Sequence, residues 1–183
     1  MLATPRTRCR SDDREGLGIT MKWNTLDDVI RTLDKAMCGK QCVQIWLGIG
    51  NVLFIGFGDE VLPVTSPGEL HASPAYELQI DSADWWVLTG NVVLTRSADG
   101  KAHAEKKLRA LLGRRVVGWS FDGDSAALRI CFEAGMELGM APYGESDAMQ
   151  KDAWILRGPT YYGYVRWDRT IGKGRRDHYF VDD

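Results

Sequence analysis

Three histidines, four cysteines and no unbroken apolar run are all that 183 residues provide, and each shortage removes a class of chemistry. His71, His103 and His178 lie far apart in the chain and form no acid–base or metal motif. Cys38 and Cys42 have a spacing that can begin a zinc site, but no second Cys/His pair answers them, so neither a metal nor a cofactor is expected. The N-terminal stretch has arginines with no apolar segment after them, which does not read as an export signal. Cys9, Cys38, Cys42 and Cys131 are therefore expected as reduced thiols in a cytoplasmic protein. The longest apolar-rich run, from Cys42 to Gly58, is interrupted by Gly48, Gly50, Asn51 and Gly56, so no membrane-crossing helix is expected. Glycine-rich phosphate loops, G-x-S-x-G turns and H-E-x-x-H pairs are missing as well, and a net charge of −2 gives no basic excess for nucleic acid.

What the chain does have is repetition. "DWWVLTG" at Asp84 to Gly90 returns as "DAWILRG" at Asp152 to Gly158, and the stretches before them match too. "NTLDDVIRTLDKAMCG" places Leu26, Val29, Ile30, Leu33 and Met37 on one helical face, with Asn24 or Thr25 as cap and Gly39 as stop. Residues 102–113 repeat the design with Ala104, Leu108, Leu111, Leu112 and a terminal Gly113. Period-two strands follow each helix, with Val43, Ile45 and Leu47 answering Val117, Trp119 and Phe121. Turns at 48–51 and 122–125 then lead into a second strand, matched at Leu53/Leu128, Ile55/Ile130 and Phe57/Phe132, and turns at 58–60 and 133–135 into a third. The expected fold class is α+β: two tandem repeats of a helix plus an antiparallel hairpin or meander, with an extra C-terminal β-hairpin. The boundaries are a flexible leader at 1–20, repeats at 21–90 and 91–158, and a hairpin tail at 159–183 packed on the second repeat, with "TIGKG" as its loop and "DHYFV" as a strand.

Within that scheme Trp86 and Trp154 are the core plugs, each closing its strand against its own helix and hairpin, with Leu88 and Leu156 beside them and Val87 and Ile155 turned outward. Trp85, opposite Ala153 in the repeat, is then a surface aromatic. Residues 21–90 hold four Lys/Arg against nine Asp/Glu, an acidic lobe suited to a basic partner surface. Together with the long loop 59–84, these features give Asp59, Glu60, Glu69, Trp85 and Trp167 as candidate partner-binding residues and a protein as the expected partner. The tail mixes Tyr162, Tyr164 and Trp167 with Arg166, Arg169, Lys173, Arg175 and Arg176, the composition of a nucleic-acid or nucleotide-binding surface, which is the alternative reading. Asp122 and Asp124 in "FDGDS" read as a hairpin turn before they read as cation ligands. An enzyme reading has only the scattered Asp81, Asp84, His103 and Glu133 to draw on.

The order of helix, "LxG", strand, hairpin ending "LxIxF" and then "DxWxL" over residues 24–158 resembles the small α+β immunity proteins that accompany bacterial polymorphic toxins. That resemblance implies a non-enzymatic cytoplasmic inhibitor that binds one toxin domain and occludes its active site. It carries over no functional residue, because the likeness lies in the scaffold.

Overall fold

The computed structural model describes residues 7–8, 25–58, 74–81, 83–143, 152–159, 161–166, 168 and 170–175. The fold is α+β, with two antiparallel sheets and few helices. In chain order the described elements are β1 (Thr7–Arg8), α1 (Leu26–Met37), β2 (Gln41–Leu47), β3 (Leu53–Gly58), β4 (Tyr76–Ile80), β5 (Ala83–Thr89), β6 (Val92–Arg96) and α2 (Lys101–Leu108), then β7 (Val116–Asp122), β8 (Ala127–Phe132), β9 (Met136–Pro142), β10 (Asp152–Arg157), β11 (Tyr161–Arg166) and β12 (Ile171–Arg175).

Helix α1 starts where its capping chemistry dictates. Thr25 accepts the Asp28 amide and the Asp28 carboxylate accepts the Thr25 amide, while Val29, Leu33, Ala36 and Met37 are buried on the inner face. Helix α2 has a glycine at its cap position and is shorter than expected, continuing as a 3₁₀ turn over Arg109–Leu111. Gly39 and Gly113 end the two helices with φ of 71° and 75°, the left-handed region that glycine reaches at no steric cost. Beyond them the backbone pairs reciprocally. The Gly39 amide donates to the Val116 carbonyl and the Gly113 amide to that of Cys42; the Cys42 amide donates to Arg114 and the Val116 amide to Lys40.

Sheet order corrects the tandem arrangement. One sheet runs β1-β7-β8-β9-β5-β6 and the other β12-β11-β10-β4-β3-β2. Each meander, β2-β3-β4 or β7-β8-β9, is thus extended by strands from the other half of the chain: β5 pairs with β9, and β10 with β4. The strands carrying the tryptophan phrases leave their own hairpins, and neither 21–90 nor 91–158 closes on itself. The inner faces of both sheets and of both helices share one apolar core.

The same register overturns the assignment of the tryptophans. Trp85 lies opposite Met140 and is 1% exposed, next to the inward Val87, whereas Trp86 lies opposite Gly139 on the outer face and is half-buried. Successive strand residues face opposite sides, so matching the phrases on Asp-x-Trp shifted the first copy by one residue and turned its side chains inside out. Trp154 and Leu156 are in the core as expected, while Leu88 is half-buried on the outer face. Ile155 is turned away from Trp154 but is itself buried.

Four further expectations change. Residues 76–80, expected inside the loop 59–84, form β4 and pair on both sides. "TIGKG" is strand rather than loop, as Ile171–Arg175 pairs with β11 along its length; "DHYFV" lies outside the described residues. Thr7–Arg8, expected in a free leader, pairs with Trp119 and Gly118 of β7. Cys38 is disulfide-bonded rather than reduced, while Cys42 and Cys131 are free.

Three measurements follow from this packing. Trp85→Ala and Trp154→Ala should each lower stability by about 3–5 kcal/mol in urea denaturation, and Trp86→Ala by less than half of that. Burial pushes the Cys42 thiol up to about 12 from 9.0, and a backbone hydrogen bond to Gln44 offsets this only in part. Because the folded value is the higher one, folding keeps Cys42 neutral and loses stability as pH rises from about 9 toward 12. At pH 9, iodoacetamide should modify Cys42 in urea and spare it in the native protein, and a phosphine should raise the intact mass by two hydrogens as the Cys38 disulfide opens.

Candidate partner-binding surface

Of the partner surface expected from sequence, only Trp85 lies among the described residues. Trp85 is buried, with its indole N–H donating to the Asn51 carbonyl at 3.0 Å, so it cannot anchor a partner. Asp59, Glu60, Glu69 and Trp167 lie outside the described residues. The scattered acid–base candidates are occupied separately: Asp84 accepts the Ser97 hydroxyl and Glu133 the Arg115 amide, and His103 is exposed on α2.

The outward aromatic of the phrase is Trp86. One cross-strand row on the outer face of the β1–β6 sheet runs Ser120, Arg129, Gly139, Trp86, Arg96. Gly139 makes this row possible. A Cβ at that position would lie 2.4 Å from indole Cε2, so the ring rests on bare backbone. The next row holds Cys131, Glu137, Leu88 and Val93, and Val93 is 56% exposed. Arg129 meets Glu137 at 3.5 Å and Arg96 meets Asp99 at 3.8 Å, with 58% and 67% of the arginine side chains exposed. Glu137 Oε1 is buried and accepts no hydrogen bond, so the Arg129 contact is an ion pair without hydrogen-bond geometry. Both guanidinium groups therefore keep most of their donors turned to solvent. Asp99 is held below the usual carboxylate range, first by the Thr95 hydroxyl and then by the Arg96 amide.

A concavity opens between the β7–β8 hairpin, the start of α1 and the β11–β12 hairpin. It is a groove of about 270 Å³ lined by Leu26 at the start of α1, Phe121 to Asp124 of the β7–β8 hairpin, and Val165 and Ile171 of β11 and β12. Asp122 shapes the turn, accepting the Asp124 amide at 3.0 Å and the Ser125 hydroxyl at 2.6 Å. These bonds, the hydroxyl foremost, pull its carboxyl below the usual value.

Tyr162, Tyr164 and Arg166 of the basic aromatic tail are engaged internally. The Tyr164 ring lies over Gly172, the Arg166 guanidinium sits 5.1 Å from that ring and bonds Asp152 at 3.1 Å, and Tyr162 stacks beside Tyr164. No protein-family model, no curated protein and no solved structure matches the chain.

Alternation along β5 was the signal that one tryptophan of the pair must face out; the choice between them needed the strand partners. Gly139→Ala should force Trp86 off the sheet, shifting its indole N–H signal in a nitrogen–proton spectrum while those of Trp85, Trp119 and Trp154 stay in place.

Proposed function

We propose that the chain is a non-enzymatic protein-binding protein that inhibits a partner by covering it, in the manner of an immunity protein occluding a toxin domain, and that it does so through the outer face of the β1–β6 sheet. The observation that carries this reading is the Trp86 ring laid on Gly139 with Arg96 and Arg129 to either side. Tryptophan and arginine dominate interface hot spots, and Leu88 and Val93 supply the apolar surround that excludes water from them. The scaffold is read as a duplication whose halves exchanged their closing strands. Such a body is rigid, and a preformed face binds with little ordering cost.

A nucleic-acid role would draw on the basic tail with Trp85 and Trp167; among the described residues Trp85 is buried, and Tyr162, Tyr164 and Arg166 already hold one another and the β11–β12 hairpin. The two readings separate by salt. Binding through phosphate contacts weakens by orders of magnitude between 50 and 200 mM salt, whereas a face of this mixed composition responds weakly.

The test starts from the neighbouring reading frames, and measures affinity for any toxin domain that one of them encodes. Trp86→Ala and Arg129→Ala should each weaken binding by about 2 kcal/mol or more, roughly thirtyfold, mainly through faster dissociation. Trp46→Ala, a change at a 40% exposed tryptophan on the other sheet, serves as the control and should bind like the parent. Parent-like binding by both sheet variants would remove this face from the proposal, and turnover of a small molecule by the purified chain would remove the binding-protein reading itself.

A further inference from the structure

We infer that the groove between the start of α1, the β7–β8 turn and the β11–β12 hairpin is a second docking site, which takes a lysine or arginine side chain presented by a protein partner. It lies on different elements from Trp86 and stands or falls separately from the sheet face.

The groove has an apolar floor and an acidic end. Val165 is fully buried at its base, Phe121 and Ile171 are half-buried, and Leu26 is 43% exposed. Phe121 is held in place by an edge-on contact with Trp154, 5.7 Å between ring centroids at 85°, so the floor is preformed. The turn supplies Asp122 and Asp124, and neither forms an ion pair among the described residues. Asp122 is fixed by two hydrogen bonds that hold it ionised, whereas the Asp124 carboxylate is exposed and accepts nothing within the turn. Lys173, the basic residue two positions beyond Ile171, is not part of the lining.

This pairing of surfaces decides the occupant. A purely apolar side chain would gain nothing from the two carboxylates of the turn, and an acidic one would be repelled. A small metal ion would gain nothing from four apolar walls. Lysine and arginine combine an aliphatic stem with a cationic head, the stem covering Leu26, Phe121, Val165 and Ile171 while the head reaches the carboxylates. Gly123 keeps the entrance open, since a Cβ there would sit 3.2 Å from the Leu26 side chain.

The probe is a capped Ala-Arg-Ala tripeptide, titrated against the full chain by methyl and amide NMR beside its Ala-Gln-Ala counterpart. The arginine peptide should shift the methyl signals of Leu26, Val165 and Ile171 and the Asp124 amide, and the glutamine peptide should bind several-fold more weakly. Asp124→Asn removes a charge that holds nothing in the fold, and it should raise the dissociation constant of the arginine peptide about two- to fivefold, the range of an exposed ion pair, while leaving the glutamine peptide unchanged. Equal binding of the two peptides, shifts confined to other surfaces, or an unaltered constant in Asp124→Asn would each overturn the assignment. A Trp86→Ala variant that still binds the arginine peptide would show that the two sites are independent.

Discussion

The inter-sheet indole hydrogen bond is the constraint on which the rest of this molecule depends. Trp85 on β5 donates to the carbonyl of Asn51, and Trp154 on β10 donates to that of Ala126. Each bond runs from a strand that has crossed to the other half's meander back to a hairpin turn of the opposite sheet. An indole N–H buried without an acceptor would cost about 1–3 kcal/mol, so the ring can enter the core only where a carbonyl is turned to meet it. The two acceptor residues pay for that orientation: Asn51 and Ala126 have φ of 64° and 54°, a region that alanine rarely adopts. With the inner tryptophan fixed, pleat alternation places Trp86 on the outside, and the candidate interface follows from the core.

The exchange of strands makes the chain one cooperative body. Reciprocal backbone bonds join residues 39–42 to 113–116, Trp119 donates to Asp34 on α1, and Asn51 donates to the Ser97 carbonyl. No contiguous half contains a complete sheet, so opening either half exposes core surface belonging to both. Such an arrangement has few independent opening units, and its outer faces are settled in shape by the core beneath them.

Local chemistry was legible in the sequence, and partner choice was not. The Thr25 cap, the glycine stops, the hairpin at 122–127 and the inward positions Leu53, Ile55, Phe57, Leu128, Ile130 and Phe132 all follow from neighbours within a few residues. Which strand lies beside which is set by burial across 47 to 80 residues of chain, and the same pattern of alternation is compatible with an own-half or an other-half partner. The error of one residue at Trp85 has the same root. The shared Asp and Trp letters matched 84 with 152, whereas the pairing of Trp85 with Met140 and of Trp154 with Ile80 matches 85 with 154. Of the candidate site, alternation gave the outward tryptophan, while the groove joins residues 26, 121–124, 165 and 171, which no spacing rule brings together.

That corrected match bears on where function resides. Trp85 and Trp154 occupy like positions, and the residues after them, Trp86 and Ile155, both turn away from the shared core. Ile155 is buried there, with Gln79 and Tyr164 as its strand neighbours, while Trp86 is half-exposed above a glycine and between arginines. A scaffold that needed only to fold would be served by the isoleucine solution in both places. A partly wet tryptophan forgoes burial energy that a covered isoleucine gains, and the residue opposite it is a glycine whose missing Cβ leaves room for the ring. The asymmetry at this one position is what sets the outer face of the β1–β6 sheet apart from its counterpart and what the proposed interface rests on.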